Sequence, residues 1–281
     1  MSEKLSVRHL RKIFATKAGA FEALADVSFS IDQGEFVALV GASGCGKSTL
    51  LRIIAGLEQR SGGEVLVGGR AIDGPGRDRA MVFQDYSLYP WLTVLENIRF
   101  SRMLAVNTRD DNASAVVDAS ERALLLLELM GLERVRDAHP NALSGGMRQR
   151  VAIARALMSE PELLLMDEPF GALDAQTREV MHDLILHILA IERRTILFVT
   201  HDVDEAIYLA DRVIVLAPAP GRIDSIWPIE LPPALERTQE LKLAPEFLAI
   251  KRGILARIRA TSGMQSDLAA LKRLTARAGR I

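Results

Sequence analysis

Three stretches of the 281-residue chain set reactive side chains at spacings that could do chemistry. The first is Gly41-Ala42-Ser43-Gly44-Cys45-Gly46-Lys47-Ser48-Thr49, which fits G-x-x-x-x-G-K-[ST]. Glycines let a backbone curl until successive N–H groups point at one anion, and a helix beginning near Lys47 adds its positive end. Such a loop cradles phosphate: Lys47 would reach β- and γ-phosphates, and Ser48 would offer its hydroxyl to Mg²⁺. The second stretch, Leu163-Leu-Leu-Met-Asp167-Glu168, is an apolar run ending in two acids. Asp167 is placed to hold Mg²⁺ through its water shell, and Glu168 to orient or deprotonate an attacking water. The third is the apolar run 195–200, followed by His201-Asp202. His201 could donate a hydrogen bond to a γ-phosphate or to the water, or simply cap the next helix. Cys45 has two readings as well. The positive field of the loop would lower its thiol pKa and make it reactive; the plainer reading, favoured here, is a small residue that fits a tight loop.

These residues need elements to hold them. Short apolar runs at 36–40, 81–83, 163–166, 195–200 and 212–216 suit strands buried on both faces of a parallel sheet, with helices either side. Helical patterns lie between several of them. One covers 48–56 and another 177–190, where Val180, Leu184 and Ile188 recur at four-residue spacing. The first 35 residues and the segment 63–72 read as short strands with turns, hence a small antiparallel sheet alongside. From Thr93 to about Met130 the pattern is helical, opened by a capping box of Thr93 and Glu96.

Composition narrows the class. Apolar residues are 49 % and charged residues 25 %, so a packed core is expected rather than disorder. The formal net charge of −1 argues against a general polyanion binder, and no nucleic-acid partner is expected. With Cys45 the single cysteine, the chain can form no internal disulfide, all-cysteine zinc site or iron–sulfur cluster by itself. No apolar stretch approaches the ~20 residues that cross a bilayer, and the first residues lack the apolar core of a signal peptide. A cytoplasmic protein is expected, tied to any membrane only through another chain. From residue 231 onward, ten Lys and Arg face four Asp and Glu, leaving −7 on the preceding 230 residues. That change follows Pro218-Ala-Pro-Gly221, with further prolines at 228, 232 and 233. A main domain at 1–217 is therefore expected, then a basic extension at 218–281. The extension carries basic helical patterns at 251–259 and 268–277 that could lie near anionic lipid, regulate a dimer, or form a peripheral solvated tail.

Leu143-Ser144-Gly145-Gly146-Met147-Arg148-Gln149-Arg150, shortly before the acid-ending run, resembles the signature motif of ATP-binding cassette (ABC) ATPases. Ser144 is a good N-cap and the glycines allow close approach to a helix start. The other motifs of that family follow in its order: the phosphate loop, Gln84, the signature, Asp167-Glu168, Gly171-Ala-Leu-Asp174 and His201. The resemblance covers about 5–217. It implies an α/β P-loop NTPase core with a parallel sheet, a small antiparallel β subdomain and an α-helical subdomain at about 86–160. It also implies Mg²⁺-dependent ATP hydrolysis in a head-to-tail dimer. There the signature of one copy faces the phosphate loop of a second, two ATPs are sandwiched between them, and hydrolysis releases the halves. By the same resemblance Gln84 contacts Mg²⁺ and senses a membrane partner, Asp174 communicates across the dimer, and Phe14 stacks on adenine where many relatives carry Tyr. Phe14 as an ordinary core aromatic is the alternative. Gly171 stands where many relatives have Ser.

Soluble ABC ATPases acting on DNA or ribosomes typically carry coiled-coil insertions or two cassettes, for which this chain has no room. The stretch Asp85-Tyr86-Ser-Leu-Tyr89-Pro90-Trp91-Leu92-Thr93 is similar to the family region that receives a coupling helix of an integral-membrane permease. Packing at the start of the helical subdomain is its other reading. Phrases such as DEPFGALDAQTR resemble importers of nitrate, sulfonates, taurine or bicarbonate, which use a separate substrate-binding protein. The chain is thus expected at the cytoplasmic face of the membrane, energising import of a small anion. A soluble ABC ATPase acting on DNA or ribosomes, or an importer of a different small solute, is the alternative.

Overall fold

The computed structural model describes residues 3–17, 19–106, 113–218 and 220–261. Two long strands, β1 (Glu3–Thr16) and β2 (Gly19–Asp32), pair antiparallel, and β4 (Gly62–Val67) with β5 (Arg70–Ala71) completes their sheet in the order β2-β1-β4-β5. The apolar runs form β3 (Phe36–Gly41), β6 (Arg79–Val82), β7 (Leu163–Asp167), β8 (Thr195–Val199) and β9 (Arg212–Ala217). Their order is β9-β3-β8-β7-β6, and every pair is parallel.

Side chains alternate across a strand, so this sheet divides the core in two. Val37, Leu39, Leu165, Leu197 and Ile214 face α1 (Lys47–Ala55) and the antiparallel sheet. Ala38, Val40, Met166, Phe198 and Val215 face a layer that includes α4 (Gly145–Met158), α5 (Ala175–Glu192) and α6 (Val203–Leu209). β3, β7 and β8 are buried along their whole length, which explains runs with no polar alternation. The helical segment after β6 comprises α2 (Val94–Val106), α3 (Ala113–Leu129) and α4. The capping box of α2 forms: Thr93 N–H donates to Glu96 Oε2 at 2.7 Å, and Glu96 N–H to Thr93 Oγ1 at 3.3 Å.

Two expectations are corrected. On α5 the buried face carries Met181, His182, Ile185 and Leu186, with Leu184 and Ile188 half-buried against the same core, while Val180 is 62 % exposed. Met181 and Ile185 share the four-residue spacing of the expected stripe, and one residue turns a helix by about 100°. Nor does the main domain end at residue 217. The chain turns at Gly221 and returns as β10 (Arg222–Pro228), antiparallel to β9 and the sixth strand of the large sheet. Its proline sits at the end of an edge strand, where a missing donor is tolerated.

Beyond β10, α7 (Pro245–Thr261) buries Phe247 and Ile254 completely in the main core, so this part of the extension is not a peripheral tail. Two of its cations pair with acids outside it. Lys251 Nζ meets Asp204 Oδ2 at 2.7 Å, and Arg257 forks onto both oxygens of Asp224 at 2.8 and 2.7 Å. Part of the positive charge of the extension thus answers acids elsewhere in the chain. The helix expected at 268–277 lies outside the described residues.

Candidate active site

β3 delivers the chain into the phosphate loop at Gly41. A Cβ there would stand 2.5 Å from the Leu216 carbonyl oxygen of β9 and 2.9 Å from Cys45 Sγ, so only glycine fits. Gly46, at φ +96°, opens α1 with no side chain capping it and no acid in its first turn. The first N–H groups of α1 are left for an external acceptor, which suits an anion. Buried Lys47 folds back over the loop, its ammonium donating to the Gly41 and Ala42 carbonyls at 2.9 and 3.2 Å. Cys45 is fully buried, and burial raises its thiol pKa despite the charge of Lys47. The lowered pKa of the reactive reading is overturned; a small side chain filling the loop is what the structure contains.

The second and third stretches meet at this loop. Ser48 Oγ donates to Asp167 Oδ1 at 3.1 Å, joining the start of α1 to the end of β7. Burial, reinforced by the Glu168 charge and opposed by the Ser48 hydrogen bond, raises the Asp167 pKa. Glu168 has φ +47°, a left-handed conformation uncommon for a residue with a Cβ, and its N–H bonds to the Val199 carbonyl of β8 at 2.9 Å. Its Oε2 lies 3.2 Å from both Gln84 Nε2 and His201 Nδ1. Three residues far apart in sequence thus meet at one carboxylate oxygen. Ser48, Gln84 and Asp167 offer only hard oxygen donors, a set that fits Mg²⁺.

Ser48 and Gln84 border a cavity of about 670 Å³, whose wall does not include Asp167. Gln84, Glu168 and His201 stand on its wall together with Ser43, Gly44, Gly46, Lys47, Ser48, Thr49 and Phe14. The Lys12 ammonium lies 4.5 Å from the Phe14 ring centroid and is tied to Glu58 Oε1 at 2.6 Å. Phe21 and Ala23 are further wall residues that the sequence reading missed. Phe21 is the register partner of Phe14 across β1 and β2, so once the hairpin is assigned its position follows. Gly221 was missed too: a Cβ there would come within 2.2 Å of the Cys45 carbonyl oxygen, so the turn after β9 is pressed against the phosphate loop. A cavity of about 580 Å³ on α3, lined by Glu121, Leu124, Leu125 and Glu128 among others, shares none of the residues of the three reactive stretches.

Ser144, Gly145, Gly146 and Asp174 are not on the phosphate-loop cavity wall. Ser144 caps α4, its Oγ accepting from Met147 N–H at 3.2 Å. Asp174 accepts from the N–H and hydroxyl of Thr177 at 3.0 and 2.7 Å, which lowers its pKa. α4 also fastens the segment after Gln84. Arg155 donates to the Ser87 and Tyr86 carbonyls at 2.8 and 3.3 Å, and the Arg148 guanidinium lies 5.3 Å from the Tyr86 ring centroid. Farther along, Tyr89 packs between Phe100 and Trp91, and Trp91 is 69 % exposed.

Comparison with known proteins agrees with this geometry. The pattern of the ABC transporter family matches residues 24–171, just over half of the chain. A putative ATP-binding protein of Brucella abortus is 52 % identical over 84 % of this chain and 87 % of its own length. The nitrate import ATP-binding protein NrtD of Synechocystis is 46 % identical over 86 % of this chain and 90 % of its own. For the aliphatic sulfonates import ATP-binding protein SsuB of Bacillus subtilis the values are 41 %, 94 % and 97 %. The solved ATP-binding cassette MJ0796, a dimer in a post-hydrolysis state bound to ADP and Pi, has a TM-score of 0.72 and 32 % identity, covering 81 % of this chain and 99 % of that one. With the phosphate loop, Glu168 and His201 gathered at one cavity and relatives matched along most of their length, this chain belongs to the ABC transporter family of ATP-binding cassettes.

Proposed function

We propose that this chain is the ATP-hydrolysing subunit of an importer for a small oxyanion, acting as a head-to-tail dimer on an integral-membrane permease at the cytoplasmic face. The observation that carries the hydrolytic reading is the convergence of Gln84 and His201 on Glu168 beside an uncapped α1. In this reading Phe14 stacks on adenine, and the loop N–H groups and Lys47 hold the phosphates. Ser48, Gln84 and Asp167 would hold Mg²⁺, which when bound neutralises charge on the phosphate oxygens. Glu168 orients the attacking water and takes its proton, while His201 donates toward the γ-phosphate. The chain contributes positioning and charge stabilisation rather than a covalent intermediate.

In the dimer, Ser144, Gly145 and Gly146 of a second copy close the cavity over the γ-phosphate, and Asp174 lies at the joint. That they stand off the cavity wall of their own chain is consistent with service to another. The exposed ring of Trp91 beside Tyr89 suits a groove for a permease helix. Among the described residues no helix is long and apolar enough to cross a membrane, consistent with a peripheral subunit. The names of NrtD and SsuB support nitrate or a sulfonate as cargo, delivered by a separate binding protein.

The test is Glu168→Gln in the full chain. It should bind ATP and dimerise, yet turn over about a hundredfold more slowly or worse. Hydrolysis at the wild-type rate would remove Glu168 from the mechanism.

A further inference from the structure

Behind His201, on the side away from the cavity, lies a buried polar cluster with no part in the reading above. Glu205, in the first turn of α6, is 6 % exposed, and Thr200, the residue after β8, is 1 % exposed. A carboxylate withdrawn from water this far needs partners to compensate its lost hydration. Its two oxygens divide the work. Oε2 accepts from the Thr200 hydroxyl at 2.7 Å. Oε1 faces His182 Nε2 at 3.3 Å and Arg178 Nε at 3.7 Å, neither aligned as a hydrogen bond.

The Thr200 hydroxyl, with its proton committed to Glu205, accepts from the Asp202 N–H at 3.0 Å. The residues on both sides of His201 are therefore fastened to one hydroxyl, and that hydroxyl to one buried carboxylate. The cluster extends to the loop between β7 and α5. Arg178 Nη2 donates to the Leu173 carbonyl at 2.9 Å, immediately before Asp174. The His182 ring meets Phe170, two residues beyond Glu168, edge-on at 4.8 Å.

We propose that Thr200 and Glu205 are positioning residues: they aim the His201 imidazole at Glu168, and Arg178 and His182 tie that aim to the loop of Asp174. This inference rests on the hydrolytic reading above. Thr200 is not on the wall of the phosphate-loop cavity. Its loss should slow the chemical step without weakening nucleotide binding, since small errors in aim are costly in rate.

The experiment measures steady-state MgATP hydrolysis and equilibrium ATP binding for the full chain and its Thr200→Val, Thr200→Ser and Glu205→Gln variants. Valine matches threonine in shape and deletes the hydroxyl. Thr200→Val should lower kcat about tenfold with KM and ATP affinity unchanged, and Thr200→Ser should restore most of the rate. Glu205→Gln, which keeps an acceptor and removes the charge facing Arg178, should fall between them. If Thr200→Val does not fold, the kcat-against-KM split is read from Glu205→Gln. An unchanged kcat overturns the inference. So does a parallel change in kcat and affinity, or a serine variant as slow as valine, because either marks a purely structural contact. Wild-type turnover that survives Glu168→Gln would end the underlying reading and this inference together. Turnover abolished by Glu168→Gln but indifferent to Thr200→Val and Glu205→Gln ends the inference alone.

Discussion

α1 and α4 both begin among small residues and glycines, yet their first turns are completed differently. Gly46 gives α1 no side-chain cap, whereas Ser144 caps α4 from within the chain. α1 opens onto the cavity, while the start of α4 stands off it. The backbone offers the same positive end in both places. What differs is who supplies the acceptor. At α1 it must come from a ligand; at α4 one N–H is already satisfied, and the serine hydroxyl retains a proton to give. Two identical-looking anion sites in a sequence are thus unequal in the folded chain.

The sharpest break of this comparison is Gly41→Ala against Gly146→Ala. The new methyl at position 41 meets a backbone carbonyl that cannot yield, and should cost about 3 kcal/mol in denaturant unfolding. At position 146 it meets the end of the Leu173 side chain at 3.1 Å, so the chain should fold with little loss. Next comes the ligand side. Lys47→Ala should weaken ATP binding about a hundredfold by calorimetry, whereas Ser144→Ala should leave the affinity of a single chain as it was. Equal losses from both would erase the distinction drawn between the two helix starts.

Ser144 then separates cap from contact. Ser144→Ala should lower stability by about 1 kcal/mol, and Ser144→Asp should retain it, because aspartate caps equally well. Ser144→Asp should nevertheless prevent ATP-driven dimerisation in sedimentation experiments, since its charge would oppose the γ-phosphate. A normal dimer would remove the signature from the nucleotide.

The smallest effect concerns the acid beside α1. Asp167 has a raised pKa in the folded chain, so its ionisation disfavours folding. That penalty grows as pH rises from the ordinary carboxylate range through the raised value, and is complete above it. Asp167→Asn should therefore melt higher than wild type at neutral pH without metal, while losing hydrolysis. The gap in Tm should close as pH falls below the ordinary aspartate range.

Much of this arrangement was readable beforehand, for reasons that particular residues make plain. Strands buried on both faces have no polar alternation to confuse, so β3, β7 and β8 appear as bare apolar runs. The phosphate loop and the Thr93–Glu96 box are local devices whose partners are a few residues apart. Readability falls off where a decision belongs to distant packing. Val180 and Met181 each begin a four-residue stripe, and only the neighbours of α5 choose between them. Phe21 was invisible because its place beside Phe14 follows only from the pairing of β1 with β2, which a reading of the first 35 residues as short strands with turns does not specify. Prolines and glycine at 218–221 mark a hairpin between sheet strands as readily as a linker. The basic composition that follows says nothing of the acids, Asp204 and Asp224, that it meets.

The contact of Gly221 with Cys45 has a bearing on how the molecule comes into being. A chain emerging from the ribosome exposes its nucleotide loop first, but one buttress of that loop is the turn between β9 and β10, made about 175 residues later. Nucleotide capture should accordingly wait until the β9–β10 hairpin has emerged and closed against the loop.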